Sequence, residues 1–337
     1  MKKLSLLRAT VVLFAMGLLA FSVQTVSAQD LTISSDADWV TFANNVNNGT
    51  SYSGQTVKLA ADINVTTVVG TDSTKFKGTF DGAGHKINVN LTASANYCAP
   101  FLYVDGATIS WLTVTGTISA GSYKFGAGLV GNSTGTVTIK NCRSSVTVSG
   151  DRSSLSDKDA THGGFVAIED NGSLTFSNCL FDGNITDASA TNCGGFVGWR
   201  SNGTLTFNNC LMAGTLGINT TEGNSATFNR NGSATFNNSY YITSYGAAQG
   251  SSASGMSNET LLDNLGSGWE LSSGKVVPIV NIKNLDLATI TGLDQCYKYT
   301  GSSISLAYVV KDFDGNTLVS GPTMMCPSPR TARLSAR

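Results

Sequence analysis

Few residues of this 337-residue chain have the types and spacing that catalysis requires, and the most reactive pair is His162 with Cys193. Aligning the repeats described below places these two residues on adjacent repeats, roughly 5 Å apart at the backbone. A Cys–His pair can activate a thiol or bind a metal ion. No third ligand or orienting group is evident in the sequence. We therefore interpret the pair as a coincidence of position and leave it out of the predicted sites.

Carboxylates are the second candidate. Asp151, Asp157 and Asp159 lie together in one long insertion, which we interpret as a solvated loop, with a calcium site as the alternative that stays open. His85 belongs to a glycine-rich phrase and is predicted to be a turn residue rather than a base. The chain has two histidines and neither Gly-x-Ser-x-Gly nor His-Glu-x-x-His, so nucleophilic and zinc-protease mechanisms lack their parts. We predict no catalytic residue, no bound metal and no cofactor.

Aromatic side chains offer a binding chemistry instead. Tyr103 and Trp199 fall near predicted corners of the repeat, where a phenol or indole ring could stack on the apolar face of a sugar. Packing of these rings against the edge of the repeat is the alternative. We name these two residues as binding candidates, and the partners that they suggest are glycans or the host extracellular matrix.

The element that must position these residues is a repeat between residues 99 and 240. One phrase with two glycines recurs five times, and its second glycine falls at Gly106, Gly135, Gly172, Gly203 and Gly232. The spacings are 29, 37, 31 and 29 residues. Repeats of this period indicate a solenoid, in which each unit buries its apolar side only against its neighbours.

Periodicity inside the repeat selects the kind of solenoid. In residues 203–208, Leu205 and Phe207 alternate with Thr204 and Thr206, which is the period of a strand with one buried face. The repeats lack the 3.6-residue period of helical solenoids, and Asn-Gly and Asn-Asn pairs turn their corners. We predict an all-β fold, a right-handed parallel β-helix of about seven or eight coils.

Stacking of the coils predicts two columns of identical residues. An amide ladder would join Asn141, Asn178, Asn209 and Asn238. The next position holds Cys142, Cys179 and Cys210, and Ser239 completes that column. We interpret these cysteines as inert buried thiols rather than as a reactive site.

Several motifs resemble those of a known family. Gly128-Leu-Val-Gly131 and Gly195-Phe-Val-Gly198 resemble the GLUG motif of bacterial secreted and surface proteins, which include the amino-terminal regions of some immunoglobulin-A-cleaving proteases. Residues 76–87 resemble the phrase that precedes such repeats, and residues 256–278 the phrase that ends them. The resemblance covers roughly residues 36–282 and implies an adhesin-like protein. The third copy ends in Ala167 instead of glycine, the fifth lacks the motif, and the catalytic region of the protease relatives is absent.

The chain opens with the pattern of a secretion signal. Lys2, Lys3 and Arg8 precede an apolar run at 11–21, and Val26-Ser-Ala28 is a small-residue cleavage site, so residues 1–28 are predicted to be a signal peptide. The apolar run is too short to span a bilayer. We expect a secreted protein or one on the outer cell surface, without a membrane span.

Composition excludes further classes. Charged residues make up 13% of the chain and the formal net charge is −1, so no basic patch for nucleic acid or an anionic membrane is expected. Seven cysteines are an odd number, which excludes a complete disulfide framework within one chain. We predict a monomer.

Both ends of the repeat region carry predicted helices. Residues 29–50 are predicted to hold a capping helix, with Trp39, Phe42 and Val46 on one face. The β-helix would span residues 51–282 and include a short helix at 257–265 and a final strand from Trp269.

The last part of the chain resembles an incomplete module. Residues 283–320 resemble the first half of an immunoglobulin-like domain, with too few strands to close a sandwich. Two interpretations are open for residues 321–337: a genuine basic tail, disordered in solution, and an out-of-frame continuation of the module. We favour the second, because one base restored in the Gly321 codon allows the continuation Gly-Thr-Asp-Tyr that such modules usually have. The intact protein would then be longer.

Two functions remain on this fold. The first is an adhesin-like protein whose β-helix is a rigid spacer or a recognition surface, without catalysis. The second is a polysaccharide-active enzyme, a lyase or glycoside hydrolase. Fold alone does not choose between them, and the lack of carboxylates repeated at one coil position favours the first.

Overall fold

The computed structural model describes residues 30–156, 159–230 and 233–280, together with strands at 289–291, 307–311 and 317–322. The described chain is mostly β, and its largest sheet has 18 strands. Strands of this sheet pair in parallel from one repeat to the next, an arrangement compatible with a parallel β-helix. Two helices are present in the described ranges, α1 at Asp36–Asn47 and α2 at Asn258–Leu265.

Parallel pairing runs along three ribbons of strands. The first ribbon contains, in spatial order, Leu31–Ile33, Thr56–Leu59, Thr79–Asp81, Thr108–Gly121, Val130–Gly150, Val166–Ser177, Gly203–Asn208 and Thr235–Asn237. The second contains Ile63–Val65 and Lys86–Thr92, the later parts of Thr108–Gly121 and Val130–Gly150, and then Leu180–Phe181, Asn184–Asp187, Leu211–Met212, Thr215–Ile218, Tyr240–Tyr241 and Ser251–Ser252. The third contains Phe101–Asp105, the beginnings of Val130–Gly150 and Val166–Ser177, and Val197–Arg200. A separate parallel pair joins Tyr97–Cys98 to Phe125–Gly126.

The core lies inside these ribbons and is built from stacked rings. Phe176, Phe207 and Phe236 occupy one register position, with ring centroids 5.2 and 5.1 Å apart and planes within 7° of parallel. Leu205 and Phe207 are buried, whereas Thr204 is exposed and Thr206 is half-buried. The predicted two-residue alternation is therefore confirmed.

Helix α1 packs its apolar face on the first coils. Ser35 accepts a hydrogen bond from the backbone N–H of Asp38 and forms the N-cap. The Trp39 ring lies edge-on to Phe80 and Phe101, at 5.8 and 5.5 Å, and its indole N–H donates to the carbonyl of Thr67. The helix is shorter than the predicted 29–50 segment, because Leu31–Ile33 pairs with Val57–Leu59 as a strand of the first ribbon.

The predicted final strand is wrong in form. Residues after Trp269 make an antiparallel hairpin of Trp269–Ser272 and Lys275–Pro278 that pairs with itself instead of extending a ribbon. Ser273 and Gly274 have φ values of +51° and +76°, and positive φ at both turn residues is what a two-residue hairpin turn requires. The hairpin and α2 pack on the outside of the second ribbon, where their apolar residues meet Leu180 and Leu211.

Parts of the predicted organisation lie outside the described residues. Among these are the signal peptide at 1–28 and all of the tail at 321–337 except Gly321 and Pro322. For the immunoglobulin-like segment at 283–320, the structure describes three strands, Thr289–Thr291, Ala307–Lys311 and Thr317–Pro322, which form an antiparallel sheet. Among the described residues, neither helix has the length and apolar character to cross a membrane.

Phe207→Asp tests the packing of the core. We expect it to lower the free energy of unfolding by several kcal/mol, because the new carboxylate would be buried between two rings without a partner. Thr206→Asp is the control, since Thr206 lies on the half-exposed side of the same strand and should cost less than about 1 kcal/mol. Thermal melting followed by circular dichroism measures both, and an unchanged melting temperature for Phe207→Asp would contradict the stack.

Candidate functional site

The two predicted binding residues lie in one column on the third ribbon. Tyr103 pairs with Asn132, Asn132 with Ile168, and Ile168 with Trp199. Three coil steps of about 4.8 Å separate Tyr103 from Trp199, a distance of roughly 14 Å along the stack. Together with Tyr97, these four residues form what we call the aromatic face.

Rings at one end of the aromatic face hold one another in place. Tyr97 stacks on Phe125 at 4.9 Å and meets the edge of Tyr103 at 5.4 Å. The Asn132 amide donates to the phenol oxygen of Tyr97 at 3.5 Å. Burial is the main cause that raises the pKa of both phenols, Tyr97 and Tyr103, so both are neutral hydrogen-bonding groups at physiological pH.

The other end of the face carries a cation. The Arg230 guanidinium lies 5.8 Å from the ring centroid of Trp199, within the range of a cation–π contact. Arg230 is also 4.0 Å from Asp159, which in turn binds Lys124 at 2.5 Å. These ion pairs from the insertion border the aromatic face on one side.

A buried carboxyl lies directly beside the face. Glu169 is the residue after Ile168 and is 1% exposed. One carboxyl oxygen, Oε1, accepts from the Gly172 N–H at 2.7 Å, while Oε2 has no hydrogen-bond partner. Burial raises the pKa of Glu169 to about 7, against the opposing effects of the Gly172 N–H and the Arg200 charge. Glu169 therefore exchanges its proton near neutral pH, which is what a general acid or base needs.

The Cys–His pair has an orienting group that the sequence did not reveal. His162 is fully buried, and its Nε2 lies 3.1 Å from an Asp187 carboxyl oxygen. Its Nδ1 accepts from the Gly126 N–H at 3.0 Å, so the ring proton sits on Nε2 and points to Asp187. Cys193 contacts only the backbone of His162, accepting from its N–H at 3.3 Å.

This arrangement leaves His162 without a nitrogen for the thiol. Burial raises the pKa of Cys193 to about 12, the reverse of what a nucleophilic cysteine requires. The ion pair with His162 and the bonds from Ser189 outweigh burial and lower the pKa of Asp187. We therefore interpret the three residues as a buried structural link between coils.

The acidic insertion binds protein groups in its described part. Asp159 accepts from Lys124 and from the Asn192 amide, and Asp151 accepts from the backbone and hydroxyl of Ser153. Asp157 lies outside the described residues. Over the described ranges, no group of three or more His, Cys, Asp or Glu residues could hold a metal ion. His85 follows a turn at Gly84 and lies 3.3 Å from Asp62.

The asparagine ladder spans four coils. Each amide donates to the carbonyl oxygen of the preceding one, over 2.9 Å from Asn178 to Asn141, 3.3 Å from Asn209 to Asn178 and 3.3 Å from Asn238 to Asn209. All four residues have φ between +45° and +52°. Asparagine tolerates this left-handed conformation better than most residues, so one residue type supplies both the corner and the ladder.

The cysteine column faces the core. Cys142, Cys179 and Cys210 are buried free thiols, each donating to a backbone carbonyl of its own or the preceding coil. Burial is the largest cause that raises the pKa of Cys142 and Cys179 well above the usual range. Ser239 continues the column, and its hydroxyl donates to the carbonyl of Phe207. In this environment the thiols pack as small apolar residues.

Sequence analysis missed the residues that complete the aromatic face. Tyr97 lies on the short strand before the repeat, and Asn132 and Glu169 fall between the conserved-length phrases, so no column marks them. Outward alternation in 101–105 and 130–134 could have indicated Asn132. The burial of Glu169 has no signal in the sequence.

Comparison with known proteins adds little. No family model matches the chain, and no curated protein matches it. A crystal structure named "putative immunoglobulin A1 protease", from Bacteroides ovatus, is similar at 15% sequence identity and a TM-score of 0.47, covering 75% of this chain and 93% of that one. We draw no conclusion about fold or activity from a similarity at this level.

Asn178 tests the ladder, because it both donates to and accepts from neighbouring amides. Asn178→Ala should cost about 2–3 kcal/mol, since it removes two hydrogen bonds and places a Cβ residue without a polar group in the left-handed region. Asn178→Gly should cost about 1 kcal/mol less, because glycine adopts positive φ freely. Asn202→Ala, which removes one exposed amide bond to Asn171, is the control. Urea unfolding measures all three, and equal losses for the alanine and glycine variants would show that the backbone corner does not contribute.

Glu169 should make the fold less stable as the pH rises. Its pKa is about 7 in the folded chain against an ordinary value of 4.5, so the folded state binds more protons between these values and stability falls as the pH rises through this window. Glu169→Gln keeps an oxygen for the Gly172 N–H and should lose this dependence. Urea midpoints at about pH 5 and about pH 8, with Glu270→Gln as an exposed control, test the prediction. A wild-type protein with equal midpoints would refute it.

Proposed function

We propose that this chain is an exported, adhesin-like protein whose stacked coils act as a rigid spacer and present a recognition surface for glycans or host extracellular matrix. The single observation that carries the proposal is the aromatic face, a column of outward side chains held at fixed spacing on the third ribbon. Sequence features add the export signal at 1–28 and the GLUG-like motifs. The location we propose is secreted or on the outer cell surface.

The finer description of the fold belongs to the same proposal. We propose that the coils wind right-handed, as parallel crossovers do, and that α1 caps the first coil, which the packing of Trp39 on Phe80 and Phe101 supports. The segment at 283–320 would add part of an immunoglobulin-like module. A capped stack with an added module suits a spacer, because it keeps a binding surface away from its attachment point.

Rigidity supports recognition at the aromatic face. Tyr103 and Trp199 are carried by strands that bond to coils on both sides, and the phenol of Tyr97 is fixed by Phe125 and Asn132. Side chains that are already ordered lose little entropy on binding. The face is shallow and spans roughly 14 Å, so a single site would bind a short oligosaccharide weakly and gain strength from multivalency.

Removing the two rings should abolish recognition. We expect Tyr103→Ala with Trp199→Ala to weaken glycan binding at least about tenfold, since stacked aromatic contacts dominate such surfaces. Tyr123→Ala is the matched control, because Tyr123 is 36% exposed and lies outside the face. Glycan and matrix arrays probed with the mature chain give the ligands, and calorimetry gives the affinities. Arrays that stay blank would leave only the spacer, and equal binding by both variants would place recognition elsewhere.

A polysaccharide-active enzyme is the second candidate, and Glu169 is the observation that favours it. A carboxyl with a pKa of about 7 beside an aromatic face has the protonation state of a general acid. Its 1% exposure opposes this role, since a proton donor must reach the glycosidic oxygen.

Product assays separate the two functions. Pectins, alginates, glycosaminoglycans and neutral glycans would be incubated with wild type and Glu169→Gln, and reducing ends and ultraviolet-absorbing unsaturated products would be measured. We expect no turnover by either protein. Turnover by the wild type that the glutamine variant loses would replace the adhesin proposal by the enzymatic one.

A further inference from the structure

Charged groups around the aromatic face indicate the class of glycan that it accepts. We infer that the face binds uncharged saccharides, laid along the stack from Tyr103 to Trp199, and discriminates against polyanionic ones. This inference rests on the proposed recognition function and narrows it to one ligand class.

The direction of the ligand follows from the register. Asn132 and Ile168 form the floor between the two end rings, so a chain that touches both rings must run along the stack axis. Ile168 offers an apolar contact to the C–H face of a sugar, and Tyr103 and Trp199 offer stacking.

Hydroxyl recognition is available at the Tyr97 end. The Asn132 amide donates to the phenol oxygen of Tyr97, which occupies an acceptor site of that oxygen and leaves the phenol proton free to point elsewhere. A saccharide hydroxyl can accept this proton. Because burial keeps the phenol neutral, this contact suits an uncharged partner.

Most cations at the rim are already bound to protein acceptors. Lys77 contacts Asp105 at 2.6 Å and Lys124 contacts Asp159 at 2.5 Å. Arg200 donates to the Gly203 carbonyl at 2.6 Å, and Arg230 covers Trp199 and faces Asp159. An anionic polymer would have to displace these bonds to gain a salt bridge, which removes most of its electrostatic advantage.

Two carboxylates lie near the Tyr end with no cation in a printed ion pair. Asp170 is two residues after Ile168 and accepts only from the Asn171 amide among side chains. Asp72 is exposed in a loop that begins at Gly70, and Gly70 packs so closely on Tyr103 that a Cβ there would lie 2.5 Å from its carbonyl oxygen.

Charge of the same sign as the ligand is the basis of the discrimination. Asp170 and Asp72 both contribute to the raised pKa of Tyr97, after the larger effect of burial, so their field reaches the face. Lys75 is the nearest opposing cation, and it donates to the Thr134 hydroxyl at 3.4 Å. Two carboxylates against one amine leave a net negative rim at this end, which repels an anionic chain.

Affinity electrophoresis of the mature full-length chain tests this inference. Neutral probes would be β-glucan, xylan and mannan, and anionic probes would be polygalacturonate, alginate and chondroitin sulfate, each at about 20 mM and about 150 mM salt because screening weakens repulsion. We expect retardation by at least one neutral glycan, at least about tenfold weaker retardation by the anionic ones, and loss of neutral binding in Trp199→Ala.

The double variant Asp72→Asn, Asp170→Asn supplies a gain of function. It should keep neutral binding and acquire low-salt binding to anionic glycans, because Lys75 would then dominate the rim. Asp263→Asn with Glu270→Gln removes the same number of charges from exposed sites on α2 and the hairpin and should change nothing. Melting temperatures of all variants confirm that they are folded.

The outcomes separate this inference from the recognition function. Wild-type binding to anionic glycans that Trp199→Ala abolishes would overturn the inference and leave recognition intact. A double variant with unchanged selectivity would also overturn it, because the two carboxylates would then not be its cause. Absence of binding to every glycan would overturn both.

Discussion

Each coil of this protein depends on its neighbours for both its backbone hydrogen bonds and its apolar contacts. Parallel strands in register place like residues about 4.8 Å apart, so whatever a coil has at one position meets the same chemistry above and below. Phenylalanine rings stack on phenylalanine, as Phe176 does on Phe207, and amides bond to amides. The whole structure follows from this repetition, which also requires that the first and last coils be treated differently.

Corners are where repetition meets the limits of the backbone. A chain that turns sharply after each strand needs positive φ at one residue, and the position is occupied in successive coils by Ala83, Trp111, Asn141, Asn178, Asn209 and Asn238. Where asparagine holds it, the amide ladder offsets part of the conformational cost. Trp111 adopts the same left-handed conformation with a bulky side chain, just before the ladder begins. The ladder also provides a docking site, since Gly268 packs on the Asn178 amide and Trp269 donates to the carbonyl of Asn209.

The aromatic face illustrates how a regular stack acquires a specific surface. Inward positions repeat because they must fill one core, whereas outward positions on the third ribbon change from Tyr103 to Asn132 to Ile168 to Trp199. Water, rather than a neighbouring ring, surrounds the outward side, so packing places few limits on residue type there. Variation of this kind on a rigid frame is what recognition of an extended ligand requires.

Local and repeated features were determined by the sequence alone. The two-residue alternation of Leu205 and Phe207, the repeated glycines and the Asn-Asn corners are all short-range patterns, and each copy reinforces the same prediction. They were enough for the mostly β fold, for parallel pairing between repeats and for the column that holds Asn141 and Asn178. They were also enough to place Tyr103 and Trp199 as candidates, because both follow the repeated phrase at similar distances.

Contacts between unlike segments were decided only by the tertiary structure. Asp187 meets His162 because loops of different length close against each other, and the burial of Glu169 depends on the coils on either side of it. The hairpin after Trp269 folds back on Leu180 and Leu211 instead of adding a strand. None of these contacts recurs from coil to coil, so no spacing in the sequence announces them. Their energies come from burial and charge at distances that exist only once the chain has stacked.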